Sequence, residues 1–165
     1  MTTPLFNTDP AFVGIEALKR AHGDQIARFE SWAAGDDWEM FHASHYDWWA
    51  FPINRSSSYG LQWTVYAGDI ARLQEDAAFL ARYLRGVELV AASWGWDAPG
   101  RRYLPQPKPG QAWHHWPVRL HKAALSVQLF GYAEWFESLK TYAGDLMQQG
   151  ERMEYAGHDL SWLFR

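Results

Sequence analysis

Apolar residues in this chain recur at spacings of three and four, and that periodicity limits the fold to helices packed on helices. Ile70, Leu73, Ala77, Leu80, Leu84 and Val87 fall on one helical face. Phe12, Ile15 and Leu18 do the same, with Asp9 placed to cap and Pro10 at the first helical position. Gly23 and Asp24 then predict an interruption, followed by a second helix carrying Ile26, Phe29 and Trp32 and stopping at Gly35. Only "LQWTVY" alternates as a strand would, and one such run without a partner makes no stable sheet. The fold class expected is all-α, as a single domain over residues 1–165, a length that supports one core.

Glycine and proline punctuate the pattern. Gly86 predicts a break inside the helical run that begins at Asp69. Residues 95–117 hold five of the eight prolines and three glycines, so no regular helix fits there and a long irregular loop is expected. Beyond Pro117 a helical hairpin is predicted, turning near Gly131. Leu120, Ala124 and Val127 face inward on one arm and Trp135, Leu139, Tyr142 and Leu146 on the other. A short closing helix capped by Asp159 ends the chain.

Chemistry concentrates in "FHASHYDWWAFPINRSSSYG", residues 41–60. Asp36 and Glu39 read as a capping box for a helix that carries Trp38, Phe41, His45 and Trp48 as one stripe until Pro52 ends it. On that spacing His45 is the ionisable group of an apolar face. Aromatic side chains beside a few polar groups suit a small-molecule pocket, with His45, Trp48, Trp49, Arg55, His42 and Glu39 as its candidate residues. Arg55, Arg101 and Arg102 are candidates for holding a carboxylate or phosphate. The plainer alternative is that Trp48, Trp49 and Phe51 are core.

Glu39, His42 and His45 at intervals of three, with Asp47 nearby, also admit a metal site; His114, His115, His121, Glu134 and Glu137 are further donors whose spacing requires nothing. Exposed Trp docking a protein partner is another reading. No Gly-rich phosphate loop or serine elbow occurs, so no catalytic residue is assigned and the cofactor is left open.

Composition excludes several classes. A formal charge of −4 provides no basic field for nucleic acid. The absence of cysteine removes disulfides, thiolate metal sites and a Cys nucleophile. No signal-peptide pattern or membrane-length apolar run is present, so no membrane partner is expected and the cytoplasm is the expected compartment. A homodimer is compatible with an acidic, aromatic-rich chain, although no feature sets its symmetry.

The segment His45-Tyr-Asp-Trp48-Trp49-Ala-Phe51-Pro52 resembles the His-Trp-x-Trp-Phe-x-Phe-Pro signature of an uncharacterised all-helical bacterial domain family, sometimes mislabelled calpastatin. His45, Trp48, Phe51 and Pro52 coincide, Trp49 replaces Phe, and Tyr46 stands where the family has Trp. Ser56 to Tyr59, Glu75 to Leu84, "LHKAALSVQLF" and "HDLSWL" are similar to later family segments in the same order. The resemblance implies an all-α fold with the His-Trp segment at its centre, and it implies no activity.

Overall fold

In the computed structural model, which describes residues 2–165, the chain is mostly helical. Its helices are α1 (Ile15–Ala34), α2 (Glu39–Ala43), α3 (Asp47–Ala50), α4 (Ala67–Gln74), α5 (Ala77–Ser93), α6 (Pro117–Leu129) and α7 (Ala133–Gln148). A 3-10 turn, Ser161–Phe164, closes the chain. Strands occur only as two antiparallel pairs among the described residues. They are β1 (Trp96–Asp97) with β2 (Arg102–Tyr103), and β3 (Glu154–Tyr155) with β4 (His158–Asp159). No helix among the described residues is long and apolar enough to cross a membrane.

Helix α1 runs without a break through Gly23, contrary to the sequence expectation. A helical glycine costs about 1 kcal/mol relative to alanine. Leu18, His22, Gln25, Ile26 and Phe29 bury one continuous face, and that burial prevails. Pro10 lies outside the helix: the Asp9 carboxylate accepts from the Ala11 amide at 2.8 Å and its carbonyl from Phe12 at 3.0 Å, which closes a turn. The helix begins only after Gly14, whose φ of 89° is left-handed.

The expected break at Gly86 falls ten residues earlier. Asp76 caps α5 by accepting from the Phe79 amide at 3.1 Å, while Gly86 stays inside that helix. A Cβ on Gly86 would lie 2.6 Å from Ile26 Cδ1, so this glycine permits the close crossing of α1 and α5. The start of α4 is held by Asp69, whose Oδ2 accepts from the amides of Tyr66 at 2.9 Å and Asn7 at 2.8 Å.

Residues 98–116 contain no helix, as expected, but β1 and β2 do pair within the stretch read as an irregular loop throughout. Only Pro99 falls between the two strands, in a turn where Asp97 Oδ1 accepts from the Gly100 amide at 3.0 Å. Pro105, Pro107 and Pro109 lie beyond the ladder and remove none of its donors. The α6–α7 hairpin turns at Gly131, φ 82°, as the sequence predicts.

The core is one cluster, and its buried polar groups are largely bonded across elements. Tyr83 on α5 bonds the Ser126 hydroxyl of α6 at 2.7 Å, and Ser126 donates to the Pro52 carbonyl at 2.8 Å. Trp96 Nε1 donates to Ser138 of α7 at 3.0 Å, and Ser138 donates to the Ala98 carbonyl at 2.7 Å. His22 is fully buried with its ring beside Phe79 and Tyr83. Burial, reinforced by Arg82, pulls it from an ordinary value near 6.5 to about 3.

That shift has a signed consequence. The unfolded chain takes up a proton at His22 near pH 6.5 and the folded protein only near pH 3. Stability is therefore fully present above pH 6.5 and falls by roughly 1.4 kcal/mol per pH unit between these limits. Urea unfolding as a function of pH should show this slope, and His22→Leu should flatten it; an unchanged slope in the variant would assign the acid sensitivity elsewhere.

Candidate functional site

The His-Trp segment is two short helices with a corner between them. Ser44 is extended at φ −96° and ψ 155°, and Tyr46 follows at φ −149°, so the helix expected through residues 38–48 stops at Ala43 and restarts at Asp47. The corner moves every later side chain off the predicted stripe. Trp38 and Phe41 are buried as expected, whereas Tyr46 takes the inward place assigned to His45 and donates from its hydroxyl to the Phe41 carbonyl at 2.7 Å. His45 is exposed and meets the edge of Trp116 at 6.3 Å. The polar groups of the corner override helical periodicity because Arg119, on α6, satisfies them.

Arg119 is 2% exposed. Its Nε donates to Asp47 Oδ1 at 2.6 Å, Nη1 to the Phe41 carbonyl at 2.6 Å and Nη2 to the Ser44 carbonyl at 2.8 Å. The guanidinium also lies 4.1 Å from the centre of the Tyr46 ring. One side chain thus closes the α2–α3 corner onto α6.

Above this ion pair opens a cleft of about 890 Å3. One wall is the segment from His45 to Ser58, with Trp48, Ile53 and Arg55; α6 supplies Val118, His121 and Lys122 beside Trp116; the β3–β4 hairpin and the closing turn supply Tyr155, His158, Leu160 and Trp162. Arg55 stands 4.7 Å over the Trp162 ring and Lys122 stands 4.7 Å over the Trp48 ring. A smaller hollow of about 10 Å3 shares Trp48, Arg55, Ser57 and Lys122 with the cleft and also touches Thr64. It has room for roughly one water-sized atom.

The charges of the cleft do not balance. Asp47 is bound by Arg119, and Asp159 by Arg165 at 2.7 Å. Arg55 and Lys122 have no carboxylate within 4 Å among the described residues. Burial lowers the Lys122 amine, a direction opposed by Asp47 and favoured by Arg119. Burial also pulls His121 down to about 4, which leaves it neutral at pH 7.

The structure brings His45, Trp48 and Arg55 to the cleft and places the other three candidates elsewhere. Trp49 turns to α1, where its Nε1 donates to Gln25 at 3.1 Å, and its ring packs on Trp63. His42 is buried with Nε2 donating to the Gly110 carbonyl at 2.7 Å, and its ring stacks on His114 at 3.6 Å. Glu39 is exposed and pairs with His114 at 3.4 Å. Both residues therefore hold the proline-rich stretch against α2. No group of three or more His, Asp or Glu among the described residues is placed to hold a metal ion. Neither Arg101 nor Arg102 lines the cleft; Arg102 pairs with Asp97 and Arg101 donates to the Glu134 carbonyl.

Lys122, Trp116 and Trp162 were not singled out by sequence reasoning, and His121 only as a metal donor whose spacing required nothing. Lys122 carried one signal: it interrupts the buried run Leu120, His121, Ala123, Ala124 on α6, where a charged side chain needs a reason to stay. Trp162 becomes a wall only through the fold, since no local pattern ties residue 162 to residue 55. No protein-family model, curated protein or solved structure matches the chain.

Removing one partner of a buried ion pair strands the other charge at a cost of about 3–5 kcal/mol. Arg119→Met should therefore lower the stability measured by urea unfolding by that amount, and Arg119→Met combined with Asp47→Asn should recover part of the loss. Equal destabilisation in the single and double variants would show that the carbonyl bonds, and not Asp47, carry the effect.

Proposed function

We propose that the cleft binds a small organic anion with a flat apolar body. The observation that carries this reading is the pair Arg55 and Lys122: two cations without carboxylate partners, each laid over an indole face in a cleft of about 890 Å3. Lys122 is half-buried and keeps a charge there at a desolvation cost, which an anionic group supplied by a ligand offsets, while the exposed Arg55 offers its fork to the same group. Trp48, Trp116 and Trp162 offer faces and edges for a planar body, and the Ser56–Ser58 run adds hydroxyls at the rim. Ser57 is engaged only as an acceptor, from the Tyr59 amide at 3.1 Å, so its proton is free to donate.

A protein partner is the second reading, favoured by the exposure of Tyr59, Tyr155 and Trp162 around the same opening. These aromatics flank a concave site, which suits a small ligand or one inserted side chain better than a flat interface. The likeness of residues 45–52 to the His-Trp signature is proposed as a family relationship, and the place of His45 and Trp48 on the cleft wall supports that segment as functional.

Isothermal titration with benzoate, phenyl phosphate and neutral benzyl alcohol tests the proposal. The anions should bind and the alcohol should not, and Arg55→Ala should weaken the anions about 10-fold or more, as expected for loss of a charged hydrogen bond. Equal affinity for the alcohol and the anions, or indifference to Arg55→Ala, would overturn it.

A further inference from the structure

Of the four lysines of the chain, Lys122 is the one on the wall of the cleft, where it is half-buried. It stands on α6 among the buried residues Leu120, Ala123 and Ala124, and its ammonium reaches the Trp48 ring. The charged groups around it are Asp47, already held by Arg119, then Arg119 itself, and Arg55 across the small void. An ammonium is strongly hydrated, and a lysine deprived of water beside other cations is the usual setting of an amine nucleophile. The direction of the Lys122 shift agrees with that setting.

We propose that Lys122 forms a reversible imine with the carbonyl carbon of an α-keto acid whose carboxylate is held by Arg55. Geometry selects this class. Arg55 and Lys122 line both the cleft and the small hollow of about 10 Å3 that shares its wall, so the ligand groups they engage lie close together. A carboxylate bonded directly to a carbonyl carbon meets that condition. A side chain on the next carbon then points into the wider cleft between Trp48, Trp116 and Trp162.

The step balances without a co-reactant. The neutral amine of Lys122 attacks the carbonyl carbon, an N–C bond forms, and the carbonyl π pair moves to oxygen, which takes a proton. The nitrogen lone pair of this carbinolamine then forms C=N as the C–O bond breaks and water leaves. Ammonium plus ketone becomes iminium plus water, with charge conserved. Ser57, whose hydroxyl proton is free and which lines the same void, is the group placed to relay protons.

The inference rests on the anion-binding reading, and one experiment separates the two. The full chain is incubated with phenylpyruvate and cyanoborohydride and analysed by intact mass and peptide mapping. Phenyllactate, which keeps the carboxylate and ring but has no ketone, is titrated in parallel. The expected result is one adduct, a gain equal to the acid less one oxygen, at Lys122. It should form roughly tenfold or more faster than at Lys19, Lys108 or Lys140, as expected of an amine held on the cleft wall beside the bound carboxylate. Lys122→Arg and Lys122→Met, each checked by circular dichroism for retained helix, should abolish it. If phenyllactate binds in an Arg55-dependent way but no adduct forms, the imine falls and the anion reading stands. An adduct at Lys122 without phenyllactate binding retains the imine and removes the anion reading. Labelling spread evenly over the four lysines, or neither binding nor adduct, overturns the imine.

Discussion

The guanidinium of Arg119 decides how the middle of this chain folds. Three of its donors serve the α2–α3 corner, one on a carboxylate and two on carbonyls that a continuous helix would have bonded itself. Buried carbonyls without partners are costly, and the corner is held by the donor set that α6 delivers, together with the Tyr46 hydroxyl on the Phe41 carbonyl. Arginine suits the task better than lysine because its planar fork presents those donors in fixed directions and stacks on Tyr46 at the same time. The corner in turn aims Trp48 and His45 outward, and α6 carries Lys122 three positions after Arg119, nearly one turn along the helix. Fold and cleft are consequences of the same residue.

Legibility in the sequence followed the range of the forces. The α6–α7 hairpin, its Gly131 turn and its inward faces were readable because apolar periodicity and a left-handed glycine are local signals. The two misplaced breaks, at Gly23 and Gly86, share one cause. Each glycine lies where α1 and α5 meet, and at Gly86 the missing Cβ is what lets Ile26 approach. A glycine chosen for tertiary closeness reads locally as a helix breaker. The corner at Ser44–Tyr46 was illegible for the complementary reason: its partner is 72 residues away from Asp47, and no helical spacing encodes it.

At the candidate site the same rule holds. His45, Trp48 and Arg55 were recognisable as an aromatic and polar cluster, and all three reach the cleft. Trp49, His42 and Glu39 were grouped with them by helical spacing, and the broken helix sends them to α1 and to the proline-rich stretch instead. The opposite wall comes from α6 and the closing turn, which only the fold brings near residue 55.

The ion pair at the floor of the cleft also explains why the charges above it lack counter-ions. Asp47 is the carboxylate best placed to neutralise Lys122, and it acts on that amine, but its Oδ1 is committed to Arg119 at 2.6 Å. Asp159, the other acid of the cleft, is held by Arg165 and by Ser161. Arg55 and Lys122 therefore have indole faces in place of a carboxylate. A cation–π contact supplies about 0.5–2 kcal/mol, which for the half-buried Lys122 falls short of a full counter-ion, while Arg55 remains exposed to water. A chain under pressure for stability alone would place an apolar side chain at position 122, since removing an unpaired half-buried charge relieves its desolvation, whereas the exposed Arg55 bears no such cost. The half-buried Lys122 without a carboxylate, in a protein whose buried Arg119 is fully bonded, makes the cleft wall a place where local stability is given up, the cost that the proposed anion would offset.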